Sequence, residues 1–312
     1  MIRYLKHDEI DRDRWDDCIE RSVNGIIYAS SWYLDVVSPG WEALAEEDYS
    51  VVFPLTHNRK FGIHYLYQPW FTQQLGVFTH GHLTPDRVRE FLSSIPAKFR
   101  FAEINLNSLN KADPSIFEVK TRVNLELDLI DSYENLKKKY DQNARRNLKK
   151  AFEMSVTIRR KVEPDELITL FRDNYGKKEK NLKFMHYEML RKLMIAGMKK
   201  RNAVITGAFL PDGRFCAGVF FLRDLSRIIF HFAASGQAAR ETGAMFMLVD
   251  SIVREFAGQN LVLDFEGSDD PNVARFYRSF GASECNYSQI TINRLSWPGK
   301  IALNFRKRLR SL

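Results

Sequence analysis

Cysteine is scarce in this chain. Cys18, Cys216 and Cys285 are the only three among 312 residues, and they lie far apart in sequence. No Cys-x-x-Cys pair and no Cys/His zinc spacing occurs, which argues against a zinc module or a redox pair. Such cysteine usage fits a reducing cytoplasm. No apolar run approaches the roughly 18 residues that a membrane span requires. The opening MIRYLKHDEIDRDRWDD is charged where a signal peptide would carry an apolar segment. The expectation is a cytoplasmic protein, free or peripheral at the inner membrane surface. His80 and His82 stand two apart with no third ligand in view, so no metal site is expected. No Ser-His-Asp or Cys-His pattern and no internal repeat is visible.

Aromatic residues and positive charge are plentiful. The chain carries 23 Phe, 12 Tyr and 5 Trp, and 45% of its residues are hydrophobic. It can therefore bury a real core and is not a disordered chain. At roughly 150 residues per domain, its length suits two domains. Lysine and arginine exceed aspartate and glutamate by 47 − 39 = 8. That excess favours an anionic partner: nucleic acid, a phosphate-bearing metabolite or an acidic membrane. A basic protein without a charged partner is the plain alternative.

The first half reads as short helices and strands. Residues 13–21 suit a helix, Val51–Leu55 a strand, 57–59 a turn, Ile63–Tyr67 a second strand and Pro85–Ser93 a helix. Residues 101–106 and 123–129 suit strands, the latter by alternation of Val123, Leu125, Leu127 and Leu129. Residues 132–154 read as one long helix capped by Ser132. Leu136, Tyr140, Ala144, Leu148 and Phe152 form its apolar stripe, and Lys137 to Lys150 make its other faces basic. The domain boundary is placed at its end, giving 1–150 and 151–312. Beyond it come a strand at 156–162, helices at 164–175 and 186–198, and strands at 203–210, 215–222 and 227–234. Pro211-Asp212-Gly213 and residues 224–226 supply the hairpin turns. A helix at 244–257 and a last strand at 288–295 complete the order.

Residues 261–282, LVLDFEGSDDPNVARFYRSFGA, are the closest approach to a chemical signature. Val262, Leu263 and Phe265 favour a buried strand, which Gly267 and Ser268 stop. Asp270 caps a helix that opens with Pro271. Val273, Phe276, Tyr277 and Phe280 share one face, and Gly281 ends it. Asp264 and Glu266 thus sit at the C-terminal end of a strand, where α/β sheets bind ligands.

The element order of the second half is similar to the acyl-CoA N-acyltransferase (GNAT) fold. Arg240-Glu241-Thr242-Gly243-Ala244 resembles that family's Arg/Gln-x-x-Gly-x-Gly/Ala phosphate turn, with Met245 where a small residue is expected. Asn272 to Ala282 resembles its Asn-x-x-Ala-x-x-Phe-Tyr-x-x-x-Gly-Phe helix, offset by one residue. The chain resembles the FemABX-like branch more closely. That branch comprises peptidoglycan bridge-forming aminoacyltransferases and their relatives. The passage from Tyr140 to Ala151 is similar to its Arg-Arg-Asn-x-x-Lys-Lys-Ala helix. The branch is expected to carry Phe-Lys on the last helix, and this chain has Phe276-Tyr277.

The resemblance implies an α/β protein with a mixed sheet, built as two tandem GNAT-like domains. It implies acyl or aminoacyl transfer onto an amine, with a cell-wall precursor as one acceptor. Acyl-CoA or aminoacyl-tRNA would be the co-substrate, with no tightly bound cofactor. The alternatives are an acetyl-CoA-dependent N-acetyltransferase of a small molecule and a non-catalytic binding protein of the same fold.

Each site residue has two readings. Tyr277 is a general acid for the leaving group or a core aromatic. Asp264 and Glu266 orient an amine or take its proton, or else cap the next helix or pair with Arg275 or Arg278. Arg240, Gly243 and Ala244 hold pyrophosphate at a helix N-terminus, or form an ordinary turn. Backbone N–H groups near Ala233 and Ser235 suit an oxyanion. Arg145, Arg146 and Lys149 contact a nucleotide-linked substrate or tRNA, or form a solvated face. Tyr67, Gln68, Trp70, Gln73 and Gln74 suit a sugar or peptide pocket or an aromatic core, with Lys60 as an anion contact. Asp250 reads as structural. The basic tail at 301–312 lies on acidic lipid or tRNA, or is a docked end.

Overall fold

The computed structural model describes residues 1–176, 181–267, 270–297 and 299. The tail at 301–312 and the strand stop at Ser268 lie outside the described residues. In chain order the first elements are β1 (Ile2–Leu5), α1 (Arg12–Arg21), α2 (Ser31–Val37), β2 (Glu42–Glu46), β3 (Val51–Leu55), β4 (His57–Lys60), β5 (Ile63–Tyr67), β6 (Phe78–Thr79), α3 (Pro85–Ser93), β7 (Phe99–Asn105) and β8 (Glu118–Asp128). There follow α4 (Tyr133–Lys138), α5 (Gln142–Glu153), β9 (Thr157–Arg160), α6 (Pro164–Phe171), α7 (Phe184–Lys199), β10 (Ala203–Phe209), β11 (Phe215–Arg223) and β12 (Arg227–Ser235). The last are α8 (Gln237–Thr242), α9 (Ala244–Phe256), β13 (Val262–Asp264), α10 (Pro271–Arg278) and β14 (Ser283–Asn293). Among the described residues, no helix is long and apolar enough to cross a membrane.

Two compact units share these elements: Met1–Arg122 with Asn286–Leu312, and Val123–Cys285. The junction placed near 150 therefore falls inside the second unit. The physical reason is the packing of α5, whose Ala144 and Ala151 belong to the same core as Leu248 and Ile252 of α9.

The first unit has an antiparallel sheet ordered β1-β2-β3-β6. A second ladder runs β4-β5-β7-β14. Phe91 and Leu92 of α3 pack with Phe53, Leu66, Phe99 and Ile104 in one core. β14 belongs here because its residues 289–293 pair with β7, from Gln289↔Asn105 to Asn293↔Phe101. The expected turn at 57–59 is strand β4 instead. It pairs His57 to Lys60 with Leu66 to Ile63, and the turn lies at Phe61 and Gly62.

In the second unit the order is β8-β13-β12-β11-β10-β9. The β12–β13 pair is parallel, and the β8–β13 pair and the three ladders from β12 to β9 are antiparallel. Leu248, Val249, Ile252 and Val253 of α9 pack on the sheet with Phe221, Leu263 and Phe265. The long helix expected at 132–154 is two helices. Ser132 caps α4 as expected, its hydroxyl accepting from the Asn135 amide. Asp141 then caps α5, accepting from the Ala144 amide at 2.8 Å. Tyr140 lies in the break, buried edge-on against Phe280 at 5.2 Å, so the apolar stripe continues although the helix does not. Gly281 fits here because a Cβ on it would stand 2.7 Å from that of Lys139.

Candidate active site

Strands β12 and β13 set the site in the second unit. They pair only from Arg227↔Val262 to Ile229↔Asp264, while β12 runs on to Ser235. Beyond Ile229, that edge of β12 has no ladder partner among the described residues. The opposite edge pairs with β11 through a bulge: Phe230 faces Phe221, yet Phe232 faces Phe220. His231 is the extra residue. Bulges re-aim side chains, and they occur often beside active sites. The Gly236 amide donates to the Cys216 carbonyl at 2.9 Å. Antiparallel bonding alternates along a strand. The N–H groups of Ala234 and Phe232 thus face β11, and those of Ala233 and Ser235 face the open edge.

Glu266 follows the end of β13 with φ at +55°. Side chains rarely adopt this left-handed region, and such strain gathers at functional sites. Asp264 holds the bend, its Oδ1 accepting from the Glu266 amide and from Asn124 Nδ2, each at 2.9 Å. Its Oδ2 accepts from Arg227 Nη1 at 3.1 Å, and the same nitrogen donates to Glu126 at 2.7 Å. Asp264 is only 1% exposed, and burial raises its pKa while Arg227 pulls it back. Its oxygens are thus committed to the bend.

Glu266 Oε1 lies 3.1 Å from His231 Nδ1. The His231 ring is fully covered and packs edge-on against Phe220. Burial pushes His231 down to about 3, so its imidazole is neutral. Burial also raises Glu266 well above the usual carboxylate range. A carboxyl raised in this way is a better proton acceptor near neutrality than a free one. His231 was not among the residues read from sequence. Its signal was a single imidazole in an otherwise apolar strand.

Tyr277 stacks on Phe265 at 4.7 Å and touches Phe230. It is 8% exposed. Burial and the nearby Glu266 charge raise its pKa, so the phenol stays protonated and is a weak acid. The ring is core, and the hydroxyl is within electrostatic reach of Glu266.

The turn around Gly243 lies against α5. Gly243 takes φ +74° and is covered by α5, where a Cβ on it would stand 2.5 Å from the Asn147 carbonyl oxygen. Ala244 is fully buried. Arg240 is exposed and donates to the Tyr175 hydroxyl at 3.2 Å. Helix α5 thus packs against this turn on the side a Gly243 side chain would occupy. Arg145, Arg146 and Lys149 are exposed on α5. Arg145 donates to the Lys138 carbonyl, Arg146 to Asn143, and Lys149 pairs with Glu153. Asp250 is structural, accepting from the Tyr133 hydroxyl at 3.0 Å.

A cavity of 560 Å³ opens at the ends of α6 and α7, lined by Arg172, Asp173, Phe184 and Tyr187 among others. Phe171 beside it packs on Phe232 of β12 at 4.8 Å.

The remaining candidates lie in the first unit. Gln68 donates to the Thr72 carbonyl and accepts from the Asn105 amide. Gln73 accepts from Gln74 and, through its carbonyl, from Asn105. These amides stitch the 68–75 loop to β7. Tyr67 is half-buried at the base of the β4–β5 hairpin, and Lys60 pairs with Ile63 at its tip. At about 3.3 Å per residue, the tip and base are more than 10 Å apart along the strand.

No curated protein sequence matches the chain. Solved structures do. The chain is similar to FemX with a TM-score of 0.66 at 12% identity, covering 92% of this chain and 97% of FemX. It is similar to L-PGS from Bacillus licheniformis with a TM-score of 0.55 at 12% identity, covering 95% and 96%. The C-terminal domain of a putative lysylphosphatidylglycerol synthetase from Agrobacterium fabrum matches with a TM-score of 0.55 at 11% identity, covering 94% of each chain. Residues 138–275 match the acetyltransferase (GNAT) domain family. Over residues 138–275 the chain is thus similar to the acetyltransferase (GNAT) domain family, and its fold is similar to that of FemX.

Proposed function

We propose that residues 123–285 catalyse transfer of an acyl group from an activated thioester or ester to an amine. The observation that carries this is the pairing of Glu266 with His231 beside the open edge of β12. The lone pair of the neutral amine attacks the acyl carbon, and Glu266 takes the proton that the nitrogen sheds as the bond forms. The carbonyl π electrons move to oxygen, and the Ala233 and Ser235 N–H groups hold that oxyanion. Collapse reforms the carbonyl and expels the thiolate or alkoxide, which takes the proton back from Glu266. Neutral His231 holds the Glu266 carboxyl in place. Tyr277, stacked under Phe265, keeps its proton within electrostatic reach of Glu266. The cavity beside α6 and α7 receives the amine.

The GNAT domain match supports acyl-CoA as donor, with no tightly bound cofactor. A second reading, aminoacyl-tRNA, is favoured by the covered Gly243 turn and the exposed Arg145, Arg146 and Lys149. The acceptor is a small amine or a cell-wall precursor. The test supplies each donor to the purified chain with an amine panel, following thiol release or loss of aminoacyl ester. One donor should be consumed, with tRNA binding falling steeply with salt if tRNA is the donor. Glu266→Gln should lower the turnover about 10²-fold or more. Turnover within twofold of wild type in that variant removes the assignment.

A further inference from the structure

The β4–β5 hairpin of the first unit ends in an unusual turn. Phe61 and Gly62 take φ of +51° and +78°, the two-residue turn that favours Asn-Gly or Asp-Gly. A bulky aromatic at its first position carries strain that Asn or Gly would not. Phe61 is also 92% exposed, so no packing offsets that strain. Ile63 follows and is 37% exposed. Arg59 and Lys60 precede the turn and are exposed, and the Lys60 ammonium lies 5.3 Å from the Phe61 ring centroid. From Val51 to Pro85 the sequence contains no Asp or Glu.

We propose that this hairpin tip is a membrane-contact finger. It places Phe61 and Ile63 at the acyl boundary of an anionic bilayer, and Arg59 and Lys60 at the headgroup phosphates. The order of groups selects a bilayer over RNA. The apex is apolar and the cations stand behind it along the strand, matching the depth profile of an interface. A duplex RNA surface presents phosphates first and needs its cations outermost, and a single strand stacking on Phe61 is the rival that the test below addresses. The absence of acidic residues through this segment removes the repulsion an anionic leaflet would otherwise meet.

The test is sedimentation of the full chain with two vesicles: phosphatidylcholine alone, and equimolar phosphatidylcholine with phosphatidylglycerol. Wild type should pellet with the anionic vesicles and stay in solution with the neutral ones. Phe61→Asn should lower the anionic partition about tenfold, from the loss of one inserted aromatic. The same variant should raise the melting temperature, because Asn-Gly suits the turn. Loss of vesicle binding with a gain in stability separates a contact role from misfolding. Arg59→Glu with Lys60→Glu should remove the preference for anionic vesicles. Three results overturn the proposal: wild type binding neither vesicle, Phe61→Asn binding as wild type, or single-stranded RNA bound through Phe61 without any vesicle binding.

Discussion

His231 and Glu266 titrate in opposite senses, and this makes their pairing measurable. Burial lowers His231 from its ordinary 6.5 to about 3. Between those values the unfolded chain binds a proton that the folded chain does not. The stability tied to His231 is therefore complete above about pH 6.5 and is lost as pH falls toward 3, at up to about 1.4 kcal/mol per pH unit. Glu266 is raised above its ordinary 4.5, so its contribution is complete below that value and declines as pH rises. The two oppose each other between 4.5 and 6.5. In a Glu266→Gln background the His231 slope stands alone. Denaturation of that variant across pH 3 to 6.5 should show one proton more of slope than Glu266→Gln with His231→Phe. Equal slopes would mean that His231 is not held neutral by burial. The strand ahead of Glu266 was legible in sequence because its apolar pattern is clear. The place of His231 beside Glu266 was not, because it depends on a bulge that alternation cannot register.

At the scale of elements, the strand-end carboxylates divide into two tasks. Asp264, Asn124 and Arg227 fix the bend, and Glu266 is what the bend presents. Removing the Arg227 charge leaves Asp264 buried with Glu126 as neighbour. Such broken buried pairs cost about 3–5 kcal/mol. Arg227→Met should lower the urea-derived stability by that order, and adding Asp264→Asn should recover part of it; no recovery would show that the loss is packing alone. Strands 203–210, 215–222 and 227–234 were readable to within a residue or so, since apolar runs between clear turns leave little freedom. The break at 139–141 was not, because buried Tyr140 keeps the helical stripe in phase across it. Nor was the covered turn, because a glycine at φ +74° reads alike whether it faces a phosphate or the carbonyl of Asn147.

At the scale of the whole molecule, the chain closes back on its beginning. The stretch from Asn286 joins the first unit, and Ile290 is fully buried in that unit's core. Sequence reading found a last strand and could not assign its partner, since register is set by distant residues. A chain ending at Cys285 should lose hydrogen-exchange protection in β7 while β11 and β12 keep theirs. Retained protection in β7 would show that β14 is dispensable there. The second unit is thus expected to hold its site independently of that strand, and the acyl-transfer chemistry of Glu266 is the central claim about it. The most direct measurement is kcat/KM against pH for wild type and Glu266→Gln with the active donor. Wild type should gain rate with rising pH through a single ionisation above 4.5, and the variant should be slower by about 10²-fold with that limb absent. The same limb and rate in both proteins would contradict Glu266 as the base.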